Sequence, residues 1–212
     1  MNPNIIIRLT IFAVGALLLV VGDYLYGTTY YTNIATLNPE RFLVSGLFGM
    51  IAACCYLYGL FGYANGFKDP QSLLRKTTIA GLSLFTVGVA TTHSLASADM
   101  FVLNQSLVET DAFTLTSVLN EIENAYNFYF IPTVIGLIIG FISLFIGVIR
   151  EQTIFSKKAL IFFPLTLALV ITTLDSLIPN YPILLKSPAL SSIIFNCALI
   201  LFSKKEPKTI KI

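Results

Sequence analysis

Charged residues are scarce in this sequence. Of its 212 residues only 11% are Asp, Glu, Lys or Arg, and the formal net charge is +2. A protein that binds nucleic acid needs a basic surface to neutralise phosphates, so this composition excludes that class. With so few charges to keep it in water, a separate soluble catalytic domain is not expected either.

Tryptophan is absent, histidine occurs once and cysteine three times. Cys54, Cys55 and Cys197 fall inside apolar runs without C-x-x-C spacing. We therefore interpret them as buried thiols rather than metal ligands or an exchanging disulfide. Catalytic zinc usually needs two or three histidines, so no metal site is predicted, and the sequence indicates no particular cofactor.

Apolar sequence is abundant. Hydrophobic residues make up 56% of the chain, and the mean hydropathy is +0.82. That is enough for six segments of about 20 residues, the length that crosses a bilayer. The sequence thus predicts an all-α, polytopic membrane protein in which residues 1–212 form a single six-transmembrane-helix domain. Its predicted spans are 5–26, 42–64, 77–97, 126–149, 159–178 and 182–202.

The basic residues orient the predicted bundle. In this topology 11 of the 13 Lys and Arg residues lie on one side, and only Arg41 and Lys186 lie on the other. Because cytoplasmic loops retain basic residues, both termini are predicted to be cytoplasmic. The short loops and the Lys-rich C-terminal segment favour a bacterial plasma (inner) membrane.

The predicted outer loop 98–125 carries five of the eight acidic residues that this topology places at the outer side. Its second half has apolar residues at helical spacing, so we expect a short amphipathic helix on the outer surface that runs into the fourth span. That helix would act either as a lid or only as an interfacial anchor. The apolar positions are Leu115, Val118, Leu119, Ile122 and Tyr126.

Small residues recur at one-turn spacing on two spans. Gly46, Gly49 and Ala53 share a stripe on the second span, and Gly136 and Gly140 form a G-x-x-x-G on the fourth. Such stripes let helix backbones approach closely. We expect packing within the chain, with a helix-mediated partner or homo-oligomer as the alternative.

Ionisable residues stand near the outer ends of three spans that run in the same direction. They are Asp23, His93 and Asp175. Charged groups inside a membrane are costly and commonly functional, so we hypothesise that they converge on one outward-facing polar chamber. Residues at the start of the fourth span reach the same height. The predicted ligand-binding residues are Asp23, His93, Glu123, Tyr126, Asn127 and Asp175.

Each of these residues also has a structural interpretation. Asp23 would pair with Arg41, and Asp175 with Lys186, in ion pairs that tie helix ends together. His93 beside threonines would be a hydrogen-bonded structural residue.

The favoured function is binding or transport of a small polar or cationic ligand. One alternative is an intramembrane acid/base enzyme acting on a lipid-borne group, with His93 catalytic beside Asp23 or Asp175. Another is a structural or assembly subunit of a membrane complex. In topology and size the chain resembles the substrate-capture subunits of energy-coupling vitamin importers, but Ala13 and Ala16 lack their A-x-x-x-A spacing. The predicted partners are the lipid bilayer and a small-molecule or lipid ligand.

Overall fold

The computed structural model describes residues 1–27, 37–109, 112–178, 187 and 189–203. Within these ranges the chain is helical, and an isolated bridge is its only β pairing. The helices are α1 (Pro3–Gly27), α2 (Glu40–Ala64), α3 (Leu73–Glu109), α4 (Ala112–Ile149), a 3-10 helix (Lys157–Phe162), α5 (Pro164–Leu177) and α6 (Ala189–Leu201).

Five helical segments are long and apolar enough to cross a membrane. The sixth apolar helix, α6, has 13 residues and is shorter than a full span. These are the features of an integral membrane protein, and the predicted all-helical class is confirmed. Residues 182–186, which begin the predicted sixth span, lie outside the described residues.

The predicted outer loop 98–125 is largely helical. Helix α3 continues to Glu109 and α4 begins at Ala112. Residues 98–109 contain neither Gly nor Pro, so charge alone does not end the helix. The second half is helical and runs into the fourth span as predicted, forming the first turns of α4. We call this end of the bundle the hairpin end, and the opposite end, where Pro3 lies, the N-terminal end.

The predicted fifth span, 159–178, is interrupted at Phe163. Pro164 has no N–H and disfavours a helical conformation in the preceding residue. Phe163 is accordingly extended, with φ −62° and ψ 133°, and separates the 3-10 helix from α5. Its ring packs against those of Phe141 and Phe195. Helix α5 therefore begins among the aromatic side chains of the core.

Glycines bring neighbouring helices into close contact. A Cβ atom on Gly81 of α3 would lie 2.4 Å from the backbone nitrogen of Gly140 on α4. The G-x-x-x-G stripe of α4 thus packs within the chain, as expected. The interpretation of the cysteines as buried is wrong for Cys54 and Cys197, which are exposed on the bundle surface. In a membrane protein such a surface contacts lipid, where a thiol is as acceptable as in a core.

A neutral hydrogen bond ties α6 to α2 in the middle of the bundle. The Asn196 amide donates to the Tyr63 hydroxyl at 2.8 Å, and both residues are fully buried. Tyr63 stacks on Phe195 and meets Phe141 edge-on. Aromatic rings therefore surround this uncharged hydrogen bond between α2 and α6.

Two connections pair with each other at the N-terminal end. The backbone N–H of Lys68 donates to Gln152, and that of Ile154 donates to Gly66, each at 2.8 Å. The fully buried Phe155 ring covers Gly66 so closely that a Cβ there would clash with it. This pairing fixes the ends of α2 and α4 relative to each other.

Candidate functional site: a central cavity beside Asp23 and His93

A cavity of about 200 Å³ lies among the helices, and each of α1 to α6 contributes to its wall. Its volume equals that of roughly seven water molecules in the liquid. The lining is mostly apolar. It comprises Leu19, Asp23, Tyr56, Phe85, Val89, Thr92, His93, Leu137, Pro164, Leu165, Ala168, Ala189, Ser191 and Ser192.

The ionisable side chains and the start of α5 lie in different parts of the cavity wall. Phe85 and His93 both line it and are separated along α3 by about 12 Å of helix. The first turn of α5, from Pro164, forms another part of the wall. The cavity therefore has an ionisable pair toward the hairpin end and a largely apolar remainder.

Asp23 and His93 form the ionisable pair. His93 Nδ1 lies 3.7 Å from Asp23 Oδ1, which is an ion-pair distance rather than a hydrogen bond. The Asp23 side chain is 38% exposed and the His93 side chain 13%, so the carboxylate is the more accessible of the two. The other carboxylate oxygen, Oδ2, accepts a hydrogen bond of 2.5 Å from Ser187 Oγ. The Asp23 carboxylate thus contacts both His93 and Ser187, and part of it remains exposed.

The imidazole ring fits between two glycines. A Cβ on Gly22 of α1 would lie 2.7 Å from His93 Nε2, and one on Gly49 of α2 would lie 2.5 Å from His93 Cδ2. Neither contact is possible for a real side chain. The glycines therefore provide the space in which the ring reaches Asp23.

Ser45 lies on the far side of the ring. Its Oγ is 3.3 Å from His93 Nε2, donates to the Gly22 carbonyl at 3.0 Å and accepts from Ser97 Oγ at 3.3 Å. The order Ser45, His93, Asp23 is that of a hydrolase triad. Ser45 is fully buried, however, and does not line the cavity, so it is not placed to attack a substrate.

The structure brings together two of the six predicted site residues, Asp23 and His93. Glu123 and Tyr126 instead line a second pocket of about 270 Å³, with Asp99, between α3 and α4. These two residues therefore line a different pocket from Asp23 and His93, because α3 and α4 continue as a paired hairpin beyond the central cavity. Asn127 follows on α4 and is in neither lining. The Asp175 side chain lies outside the described part of the chain.

The alternative partner of Asp23 has another contact. Arg41 Nε donates to the Leu25 carbonyl at 2.9 Å, whereas Asp23 contacts His93 and Ser187. Sequence reasoning missed Ser45 and Ser187. Ser45 precedes Gly46 in the small-residue stripe of α2, which was a usable signal, but nothing in the spacing marks Ser187.

Metal ligands do not cluster in the described residues: no group of three or more His, Cys, Asp or Glu side chains there is arranged to hold an ion. The available chemistry is that of one carboxylate, one imidazole and several hydroxyls. Such groups bind cations and hydrogen-bond donors and transfer protons.

Fold and site together define a helical membrane protein with a central cavity and, among its described residues, a carboxylate–imidazole pair in the cavity wall. The chain belongs to a family of unknown function (DUF6796), whose model matches residues 1–205. No curated protein and no solved structure matches the chain.

Proposed function

We propose that this protein binds, and moves across the membrane, a small ligand with an apolar body and one cationic group. The observation that carries the proposal is a cavity lined by each of α1 to α6, with Asp23 and His93 in its wall. Ligand sites in membrane bundles have this composition, since apolar walls supply contact area and a few polar groups fix the orientation.

The charge of the ligand follows from the lining. Asp23 is the carboxylate among the described lining residues, and no Lys or Arg is among them. An anion would meet the Asp23 charge, whereas a cation would be attracted to it. The N-terminus of α5 carries a partial positive charge, so the cationic group belongs beside Asp23 rather than beside Pro164.

We infer an orientation with both termini in the cytoplasm, supported by the 11 of 13 basic residues that fall on that side. The hairpin end then faces outward, and so does the Asp23 side of the cavity. Short connections and a Lys-rich C-terminal segment suit a bacterial inner membrane.

The test uses three four-carbon probes of similar size: butylammonium, butanol and butyrate. Their binding to the purified protein in detergent is measured by the rise in melting temperature with probe concentration. A cation about 4 Å from a carboxylate gains about 4 kcal/mol at an effective dielectric constant of 20, before desolvation is subtracted. We expect butylammonium to bind at least about tenfold more tightly than butanol, a difference of about 1.4 kcal/mol. Butyrate is expected to bind most weakly.

The variant Asp23→Asn removes the charge and keeps an oxygen that accepts from Ser187. It should bind butylammonium no better than butanol. Glu123→Gln removes a carboxylate from the second pocket and should leave the order of the probes unchanged. If the wild type does not prefer butylammonium, or if Glu123→Gln abolishes the preference as fully as Asp23→Asn, the proposal is wrong.

A further inference from the structure

The hydrogen bonds around Ser45 determine which imidazole nitrogen carries a proton. A serine hydroxyl has one hydrogen, and that of Ser45 is assigned to the Gly22 carbonyl, which at 3.0 Å is closer than His93 Nε2. Its oxygen accepts from Ser97 and has one more lone pair, which faces His93 Nε2 at 3.3 Å. The contact is a hydrogen bond only if Nε2 carries the hydrogen. The network thus assigns an Nε2–H to His93.

The other ring nitrogen is then the one that gains and loses a proton. Nδ1 faces Asp23 Oδ1 at 3.7 Å. When Nδ1 is protonated, imidazolium and carboxylate attract each other across this gap. When it is not, a lone pair faces the carboxylate and the attraction is gone. Asp23 therefore favours a proton on His93 as long as no other cation occupies its accessible side.

From this geometry we infer that the cavity exchanges a proton for a cation: a cationic ligand bound at Asp23 displaces the Nδ1 proton of His93, which leaves to solvent. The inference rests on the proposed function and extends it to coupling. Since linkage is reciprocal, protonation of His93 must weaken cation binding by the same factor by which the cation weakens protonation.

In the described part of the chain, few other titratable groups face this pair. From α1 the facing group is Asp23 itself, and α2 contributes the buried phenol of Tyr56 to the same cavity. The described lining residues of α4, α5 and α6 are apolar or carry hydroxyls. On α3, Asp99 belongs to the second pocket with Glu123 of α4.

The single histidine of the chain makes the test direct. Protein carrying ¹⁵N-labelled histidine gives imidazole signals from His93 alone. In a pH titration without probe, Nε2 should stay protonated throughout, and Nδ1 alone should change. Ser45→Ala should release this constraint and give a mixture of neutral tautomers, whereas Ser97→Ala, which keeps the Ser45–His93 contact, should retain the Nε2–H form.

Butylammonium is then added at a pH where His93 is protonated. We expect the Nδ1 signal to move to its unprotonated position, with release of up to about one proton per probe bound, and no such change with butanol. Over the pH range in which His93 is protonated, butylammonium affinity should rise by up to about tenfold per pH unit, the limit for one displaced proton.

The possible failures are distinguishable. Absence of butylammonium binding in the melting assay overturns the proposed function, while the probe-free titration still reports the tautomer. Binding that leaves Nδ1 protonated, with no release of protons, overturns the exchange and leaves the ligand site standing. A neutral His93 that carries its proton on Nδ1 overturns the assignment on which the exchange depends.

Discussion

Gly49→Ala tests whether the imidazole is confined as the structure indicates. The added Cβ would lie 2.5 Å from His93 Cδ2 and 2.8 Å from His93 Cβ. Carbon atoms in contact are normally about 3.5–4.0 Å apart, so one of the two helices has to shift by about 1 Å. The ring cannot yield toward α1, because Gly22 lies nearly as close on that side.

Overpacking of this kind costs about 1–3 kcal/mol. Alanine also gains about 1 kcal/mol over glycine in helix propensity, which offsets part of the loss. The control is Gly46→Ala, one turn away on the same helix, where the nearest atom is Ser97 Cβ at 3.3 Å. Both variants gain the same propensity. The difference in unfolding free energy between them should therefore be about 1–3 kcal/mol, with Gly49→Ala the less stable.

The assay is reversible unfolding in mixed micelles, followed by circular dichroism, for the two single variants and for Gly49→Ala combined with His93→Ala. Removing the ring should remove the clash, so the double variant should show a favourable coupling of at least about 1 kcal/mol. Equal stability of Gly49→Ala and Gly46→Ala, or no coupling with His93→Ala, would refute the confinement of the ring.

Two further substitutions examine the N-terminal end. Phe155→Ala removes a fully buried ring that covers Gly66, so it should lower the unfolding free energy by about 3–5 kcal/mol in the same assay; a loss below about 1 kcal/mol would contradict this packing. Lys157→Gln breaks an ion pair of 2.9 Å with Glu151, but both side chains are more than half exposed. It should change stability by less than about 1 kcal/mol.

The helical class and approximate helix positions could be predicted because hydropathy acts over whole segments and needs no knowledge of neighbours. The positions of the helix ends were harder to predict. Residues 98–109 include two acidic residues and were predicted as loop, yet without Gly or Pro they continue α3 to Glu109. Conversely, Pro164 inside an apolar run divides a span that hydropathy alone presents as continuous. The presence or absence of Gly and Pro therefore set these helix ends, which hydropathy alone does not predict.

The site was predictable only in part, for a different reason. Asp23 and His93 are at the same depth on helices running the same way, so their proximity followed from topology. Their hydrogen-bond partners depend on the rotation of α2 and on the position of Ser187, neither of which a single sequence specifies. Glu123 instead lies beside Asp99, about 9 Å of helix beyond His93 along α3, so it does not reach the central cavity.

A neutral hydrogen bond already joins two helices of the bundle. Its presence raises the question of why Asp23 and His93 are ionisable. Asn196 and Tyr63 join α6 to α2 by a neutral hydrogen bond within the core. An ionisable side chain in a membrane costs about 2.5–3.5 kcal/mol on insertion scales, and buried ion pairs seldom recover such a cost. If Asp23 and His93 only joined helices, an amide and a hydroxyl would do so at lower cost. Their place in the wall of a cavity gives the charge a use that a structural tie does not need.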